Sequence, residues 1–578
     1  MMRIDKIDPP SWFVRMYDNH LQLFVYGDDL KGVTVDARFA EYCMMVASKK
    51  HFVIANLTLK GNIQEGTYDI CFRRGEEYVV KAYSLQTRQT IEHHALSPSD
   101  VIYLIMPDRF ARTKDDKVYN DVDINNPHAW HGGTLNGIRK HLDYIQELGI
   151  TTIWLTPIFK NNHSLYKNQY ASYHGYAITD FYDIEPHLGT LEDYKALVDE
   201  AHCQGLKVVM DIVFNHCGSE HPWVRRGGSS ATWMNRDAGK TNYECRTVLD
   251  LYASDYDREA TVKGHFSEIM KDLNLEDENV LQYLTQMTFW WIEVTGIDAF
   301  RMDTYLYSEG KQMNKWLKVL KEQYPHFSVI AETWMGNPAL TAKVQKDALP
   351  YTGKDNPLIV MDFDFQESLS KAISIGDMRP LYEHSVCDFL YKFPQQTLAF
   401  LDNHDTRRWK LEHPQISQLK QALAILLTIP RIPQILYGTE YLFAGEGNGI
   451  SDGDMRQDFD WSKQRTSEEH AFYSFMQSLL HWRKSCMAVT LGTMKHFLPQ
   501  RGVYVYFRKY YKDKVMVVLN PQKVKRKITL ARYAEELKGS RTATDIITGS
   551  EYDLSGPRGM GKNYLEIQKN GILILTLN

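Results

Sequence analysis

The sequence predicts an α/β protein: a (β/α)8 TIM barrel with an insertion after its third strand, flanked by N-terminal and C-terminal all-β sandwich domains. Three observations predict it. Between residues 96 and 487, apolar β segments alternate eight times with helices or helical connections, the pattern of a barrel. On either side of that stretch the texture is β only. No G-x-G-x-x-G turn supports the structural alternative, a doubly wound open sheet.

Residues 1–95 read as short strands, LQLFVYG, HFVIANLTL, YDICF and EYVVKAYSL, separated by turn signals such as GDD and RRGEE. That pattern suggests a β-sandwich of immunoglobulin-like size. LSPSD at 96–100 is the linker. VIYLIMPDRF is then a buried strand, and GIRKHLDYIQELG a helix with Ile138, Leu142, Ile145 and Leu148 on one face and Gly149 as its stop. TTIWLTPI is the next strand. TLEDYKALVDEAHCQG is a helix with Thr190 as its N-cap, and KVVMDIVFNH is the third strand. A polar segment over 217–278 has no sustained periodicity and reads as an inserted subdomain. The alternation resumes with a helix over 279–295, the strand IDAFRMDTY, and the strands SVIAETW, LIVMDFDF, TLAFLDNHD and PQILYGTE with helical patterns between them. Residues 488–578 return to β, with a hairpin in VYVYFRKYYKDKVMVVLN and a terminal strand in GILILTLN.

The chain has 578 residues, a formal net charge of -5, 43% hydrophobic and 24% charged residues. This is ordinary globular composition and gives no reason to expect nucleic acid as a partner. The longest apolar runs, such as ALAILLTI at 422–429, are too short to span a bilayer. Aromatic content is high, 12%, with 35 tyrosines, which suits surfaces that stack on sugar faces but equally an ordinary core. The seven cysteines show no CxxC pair and indicate neither a disulfide framework nor a zinc site. MMRIDKIDPPSW has no apolar signal region, so the expected compartment is the cytoplasm, or the periplasm if a leader has been removed.

GIDAFRMDTY poses the functional question. As a strand it puts Ala299, Arg301, Asp303 and Tyr305 on one side. Arg301 and Asp303 are then either a structural ion pair or a nucleophilic carboxylate stabilised by a guanidinium. Barrel chemistry collects at the C-terminal ends of strands. Those ends here carry Asp211, Asn215 and His216 on the third strand, Arg301 and Asp303 on the fourth, Glu332 on the fifth, and Asp402, Asn403, His404 and Asp405 on the seventh. Any one of these is explained as a loop cap. Together they would desolvate and repel one another at a cost of several kcal/mol without a polar substrate or a developing cation to face. Two carboxylates and a helper suggest glycoside hydrolysis, with Asp303 beside Arg301 and Glu332 in a more apolar place beside Trp334, where its proton affinity would rise.

DIVFNH, GIDAFRMDT, AETW and FLDNHD resemble, in order, the four short conserved regions of the α-amylase superfamily, glycoside hydrolase family 13. YHGYAITDFYDIEPHLGT at 173–190, YGTEY after the eighth strand and the opening IDPPSWFV are similar to the neopullulanase/cyclomaltodextrinase branch. The resemblance implies Asp303 as nucleophile, Glu332 as general acid/base and Asp405 as the transition-state-stabilising aspartate. It further implies Arg301 as support for the nucleophile, His216 and His404 as hydrogen-bond partners of the sugar, Tyr176 as the stacking aromatic and Asp211 as a supporting aspartate. The family is retaining, which implies a glycosyl-enzyme intermediate and a carboxyl separation of about 5–5.5 Å.

Two stretches depart from the family. Relatives often carry a calcium-binding loop after the first strand, but ARTKDDKVYND places Arg112 and Lys114 where oxygen ligands are expected, leaving only Asp115, Asp116 and Asp121 for a rearranged site. No cofactor is otherwise required. MKDLN at 270–274 resembles a fifth family motif, with Lys271 in place of its usual proline. The resemblance thus implies hydrolysis of α-1,4 bonds in cyclodextrins, maltooligosaccharides, starch or pullulan. The same triad would also serve an α-1,6-acting or exo-acting α-glucosidase or a glucan transferase. A catalytically inactive carbohydrate-binding barrel is the alternative from another class, disfavoured because all three carboxylates are present. A metal hydrolase would need a His-x-His or bridging-lysine arrangement at strand ends, and neither is seen. The N-terminal domain either contacts glucan or forms a homodimer that closes the partner's cleft.

Overall fold

The computed structural model describes residues 1–89, 93–167, 169–225, 232–445, 451–554 and 563–578. Eight strands, Ile102–Ile105, Thr152–Leu155, Lys207–Val213, Ala299–Asp303, Ser328–Ala331, Ile359–Met361, Thr397–Phe400 and Ile432–Leu436, close into a barrel. Every neighbouring pair is parallel, including the eighth with the first. Apart from Lys207 all their residues are buried, which is why these segments read as continuous apolar runs rather than alternating ones.

The structure refines several elements. GIRKHLDYIQELG is two helices, Leu135–Arg139 and Leu142–Leu148, rather than one. His141 breaks them: its backbone leaves the helical region, and its ring stacks on Trp461 with centroids 3.5 Å apart. Ile138, Leu142, Ile145 and Leu148 stay buried across the break, so their periodicity concealed it. Gly149 ends the second helix at φ 101, and Thr190 caps helix Leu191–Cys203 in a capping box with Asp193. The sixth strand stops at Met361, because Asp362 accepts a hydrogen bond from Phe365 N–H and opens helix Phe363–Ile375. The third strand stops at Val213. His216–Gly218 then pairs antiparallel with Met270–Asp272, so the MKDLN motif folds back onto the residues following the third strand. The insertion otherwise holds helices Pro222–Arg225 and Asp255–Val262 and a 3-10 turn at Cys245–Val248, each too short to show periodicity; its residues 226–231 lie outside the described residues.

The N-terminal domain has two four-stranded sheets. To the four strands read from sequence it adds Arg3–Asp8, Ser11–Phe13, Thr34–Ala37 and Ala40–Ser48. It docks on helix Glu278–Thr295, the Trp-rich segment, capped by Asp277 and ended by Gly296 at φ 74. Gln22 N–H donates to Gln286 (2.7 Å) and Gln286 Nε2 donates back to the Gln22 carbonyl (2.8 Å). Tyr283 donates to Asp8 (2.9 Å) and Trp290 to Ser11 (3.1 Å), while Trp291 on the barrel side donates to the Phe181 carbonyl (2.9 Å). A helix packed on both sides has no solvent face to mark it as amphipathic.

The C-terminal domain sets a six-stranded sheet against a two-stranded one around its own apolar core. Buried Arg508 joins it to the barrel by donating to the Thr428 carbonyl (2.6 Å), and it also donates to the Gly492 carbonyl (2.7 Å) at the start of the C-terminal domain. Among the described residues no helix is long and apolar enough to cross a membrane, and all seven cysteines are free thiols.

Candidate active site

Strand register assembles the site. Asp211 lies opposite Arg301 across the third and fourth strands. Met302 lies opposite Ala331 across the fourth and fifth, which sets the next residues, Asp303 and Glu332, side by side at the strand ends. Parallel neighbours share a face, so one buried guanidinium meets three carboxylates. Arg301 Nη1 donates to Asp211 (3.0 Å) and to Asp303 (2.7 Å), and Nη2 lies 3.1 Å from Glu332. The Arg301 and Asp211 side chains are 0% exposed, whereas those of Glu332 and Asp405 are 13% and 29% exposed. A substrate therefore meets the latter pair and not the former.

The strand expected over IDAFRMDTY ends at Asp303. Thr304 turns left-handed (φ 45) and Tyr305–Tyr307 forms a 3-10 turn. That turn aims the Thr304 N–H at Glu332 Oε2, 2.7 Å away, and its hydroxyl donates to Asp303 Oδ2 at 3.0 Å. Burial raises the Glu332 carboxyl to about 8. Arg301 opposes the rise, while Asp303 and Asp405 add to it. Burial likewise pushes Asp211 up, to about 7, with Arg301 opposing and Asp303 adding.

Asp405 goes the other way. Burial pushes it up, but His404, Arg456 and Arg301 outweigh that and leave it below the ordinary carboxylate range. Burial holds His404 down to about 3, with Asp405 opposing, and its Nε2 lies 3.1 Å from the Asp405 carboxylate. The charged partner in contact is Arg456, 3.3 Å from Asp405 Oδ1. Tyr176 donates to Asp211 (3.0 Å), lies 2.6 Å from His404 Nε2 and stacks on that ring, the planes 5° apart. His216 lies against Phe266, and its Nε2 is buried without a hydrogen-bond partner.

These groups surround a cleft of about 670 Å³, within the range of ligand sites. Of the residues singled out from sequence, Asp303, Glu332, Asp405, Tyr176, His216 and Trp334 line it. Asp211, Arg301 and His404 are not among its lining and sit behind it. Trp334 lies flat on Phe363 (4.5 Å, 10°) and is 45% exposed, so the apolar burial of Glu332 is not its work alone; Leu306 and Met335 share that wall.

Sequence reasoning missed Arg456, His174 and the insertion's Tyr243–Arg246 segment, all of which line the cleft. Asp452 and Arg456, four apart after a Ser451 capping box, carry a spacing common on any exposed helix end. His174 lies in a loop and residues 243–246 lead into the 3-10 turn Cys245–Val248, too short for any periodicity to point inward.

Two of the three aspartates considered for calcium are engaged within the protein. Asp116 accepts from Thr113 N–H (2.5 Å) and the Thr134 hydroxyl (2.6 Å), and Asp121 pairs with His187 (2.9 Å). Among the described residues no three His, Cys, Asp or Glu side chains gather as a metal site.

A barrel with paired acids at one end and a cleft above them belongs to the glycoside-cleaving class. The family profile "Alpha amylase, catalytic domain" matches residues 104–487, with "Cyclomaltodextrinase, N-terminal" over 6–89 and "Cyclo-malto-dextrinase C-terminal domain" over 494–576. The chain belongs to the α-amylase family of glycoside hydrolases, with flanking domains of the cyclomaltodextrinase type. It is 26% identical to neopullulanase 2 of Thermoactinomyces vulgaris and 26% to the cyclomaltodextrinase of Thermoanaerobacter pseudethanolicus, in each case over 82% of this chain and 77% of the relative. Among solved structures it resembles an Anoxybacillus α-amylase, with TM-score 0.71, 29% identity, and coverage of 83% of this chain and 98% of that one.

Replacing Arg301 with Met would leave Asp211 buried without a charged partner. A loss of about 3–5 kcal/mol in unfolding free energy is expected, read as a fall in the urea midpoint. An unchanged midpoint would show that the carboxylates do not depend on the guanidinium.

Proposed function

We propose that the protein is a retaining α-glucan hydrolase that cleaves α-1,4 bonds in cyclodextrins, maltooligosaccharides, starch or pullulan. The observation that carries this reading is the pair of acids on either side of Arg301 at the cleft floor. One, Asp303, is held by the guanidinium at 2.7 Å, and the other, Glu332, is pushed up to about 8. Asp303 attacks the anomeric carbon as Glu332 gives its proton to the departing glycosidic oxygen; the C–O bond breaks and an ester to Asp303 forms. Glu332 then takes a proton from water, whose oxygen attacks the same carbon and frees Asp303. A carboxyl separation of about 5–5.5 Å goes with this two-step course.

Asp405, kept low beside Arg456, faces the positive charge that develops on the sugar. Tyr176 offers a ring face to the same sugar, and His216 Nε2 a free hydrogen-bonding position. Asp211 and His404 act through Tyr176 and Arg301. Acid, nucleophile and countercharge all come from the chain, so the reading needs no metal or cofactor. The free cysteines favour a reducing cytoplasmic compartment.

Chromatography of pullulan digests tests the specificity, with Asp303→Asn alongside. Panose from the wild type and no product from the variant is the expected result. Maltotriose would mean α-1,6 cleavage instead. For kcat/KM, Glu332 must hold its proton, so activity should fall as pH rises through about 8. In Glu332→Gln that alkaline limb should vanish along with about 10²–10⁴ of the rate; a variant that retained the limb would remove Glu332 from the acid role.

The N-terminal domain, in the same reading, joins two copies of the chain. Tyr42, Met44 and Val46 alternate along Ala40–Ser48, an edge strand, and are 63%, 47% and 39% exposed. Light scattering should give a dimer for the wild type and a monomer for Tyr42→Asp/Met44→Lys. A monomeric wild type would refute the assembly.

A further inference from the structure

A cavity of about 600 Å³ lies at the end of the barrel opposite the carboxylates, in the joint with the C-terminal domain. Pro98, Gln396 and Pro430 line it from shortly before the first, seventh and eighth strands. Thr493 and Arg508 line it from the C-terminal sheet.

The joint carries a surplus of positive charge. Arg431, Arg483 and Arg508 are all buried there. Arg431 is matched by Asp388, a residue of the cavity lining, with Nη1 at 3.2 Å from its carboxylate. Among the described residues, neither of the other two forms an ion pair. Arg508 donates only to the carbonyls of Thr428, Gly492 and Thr493, and Arg483 only to those of Leu427, Pro98 and Arg431. Arg483 Nε is buried without an acceptor. Asp100, which acts on Arg483 without contact, is held by Lys207 at 3.0 Å. Leu427 and Thr428 end helix Ile416–Thr428, but a helix C-terminus offers only about half a negative charge. Burial pulls Arg483 down to about 9 and Arg508 to about 10, so both remain charged at pH 7. Two buried guanidiniums thus face half a charge, and an uncompensated buried cation is costly to keep.

We propose that this cavity binds a phosphate group, carried by the free ion or by a small phosphate monoester, with the Arg508 guanidinium as its principal partner. A guanidinium has five N–H donors in a planar fork that matches such an oxyanion. Arg508 commits one N–H to each of its carbonyls, which leaves two for the phosphate oxygens. Asp388 does not repel the ligand, because Arg431 neutralises it. Gln396 Oε1 is buried without a hydrogen-bond partner and suits a hydroxyl of the ester. The site stands apart from the catalytic cleft and does not depend on the glucan reading.

The test is calorimetric titration of the full-length protein, at fixed ionic strength, with sodium phosphate and with glycerol 3-phosphate, which has no glucose unit for the catalytic cleft. Saturable binding at a single site per chain is expected. Arg508→Lys keeps the charge but loses the fork and should weaken binding about tenfold. Thr493→Glu leaves the arginines in place and sets a carboxylate in the lining. It should weaken binding by a similar factor and raise the melting temperature in chloride buffer. Tighter binding of the ester would identify a phosphorylated small molecule as the occupant, and tighter binding of phosphate the free ion; either supports the site. Binding of neither ligand, or binding that Thr493→Glu leaves unchanged, would overturn it.

Discussion

An arginine side chain does not give up its proton inside a protein, and Arg301 is placed where no water reaches it. Its charge must be matched by anions within contact distance, and the local architecture follows from that need. Asp211 lies opposite it in register, Asp303 stands two residues on along the same face, and Glu332 comes from the adjacent strand. Asp211 is in turn held by Trp154 and Tyr176, which carries the constraint to the second strand and to the loop beyond it. Three buried carboxyls cannot all be charged beside a single cation, so burial leaves Glu332 with its proton. An acid and its neighbouring carboxylate are thus made unlike by their surroundings.

The three domains behave as one framework because their contacts run through buried polar groups as well as apolar surface. Helix Glu278–Thr295 serves as the outer wall of the barrel and as the seat of the N-terminal sheets, with reciprocal Gln22–Gln286 hydrogen bonds at its centre. The fourth strand follows directly from that helix through Gly296. The position of Arg301 and Asp303 is therefore tied to a contact on the far side of the helix. Arg508 performs a similar join at the other end of the chain, where its guanidinium satisfies backbone carbonyls that would otherwise be buried without donors.

The barrel was legible in sequence because parallel strands buried on both faces leave unmistakable apolar runs, and because their polar residues gather at one end. The carboxylates that line the cleft were legible for the same reason: Asp303, Glu332 and Asp405 interrupt or end such runs. What the sequence concealed is what carries no periodicity. His141 breaks a helix without disturbing its apolar stripe, and Asp362 converts the end of an apparent strand into a helix cap. Arg456 reaches Asp405 from a one-turn helix after the eighth strand, a distance in sequence that no local pattern spans. The exposed half of Trp334 was invisible too, since a tryptophan after a strand reads as core until its neighbour Phe363 is seen beneath it.

The pairing of His216–Gly218 with Met270–Asp272 closes the insertion on itself at its two ends. The segment between leaves and rejoins the barrel through one small antiparallel clasp, while its residues 243–246 form part of the cleft wall. Substrate shape is thereby separated from chemistry. The barrel strands fix the acids, and an inserted segment, held also by Trp223 Nε1 donating to Tyr26 (3.0 Å) and Cys245 Sγ to the Trp334 carbonyl (3.0 Å), lines part of the space above them. Its clasp begins at His216, beyond the pairing of the third and fourth strands that ends at Val213, so a change within the segment need not shift that register. One catalytic floor can in this way serve many different roofs.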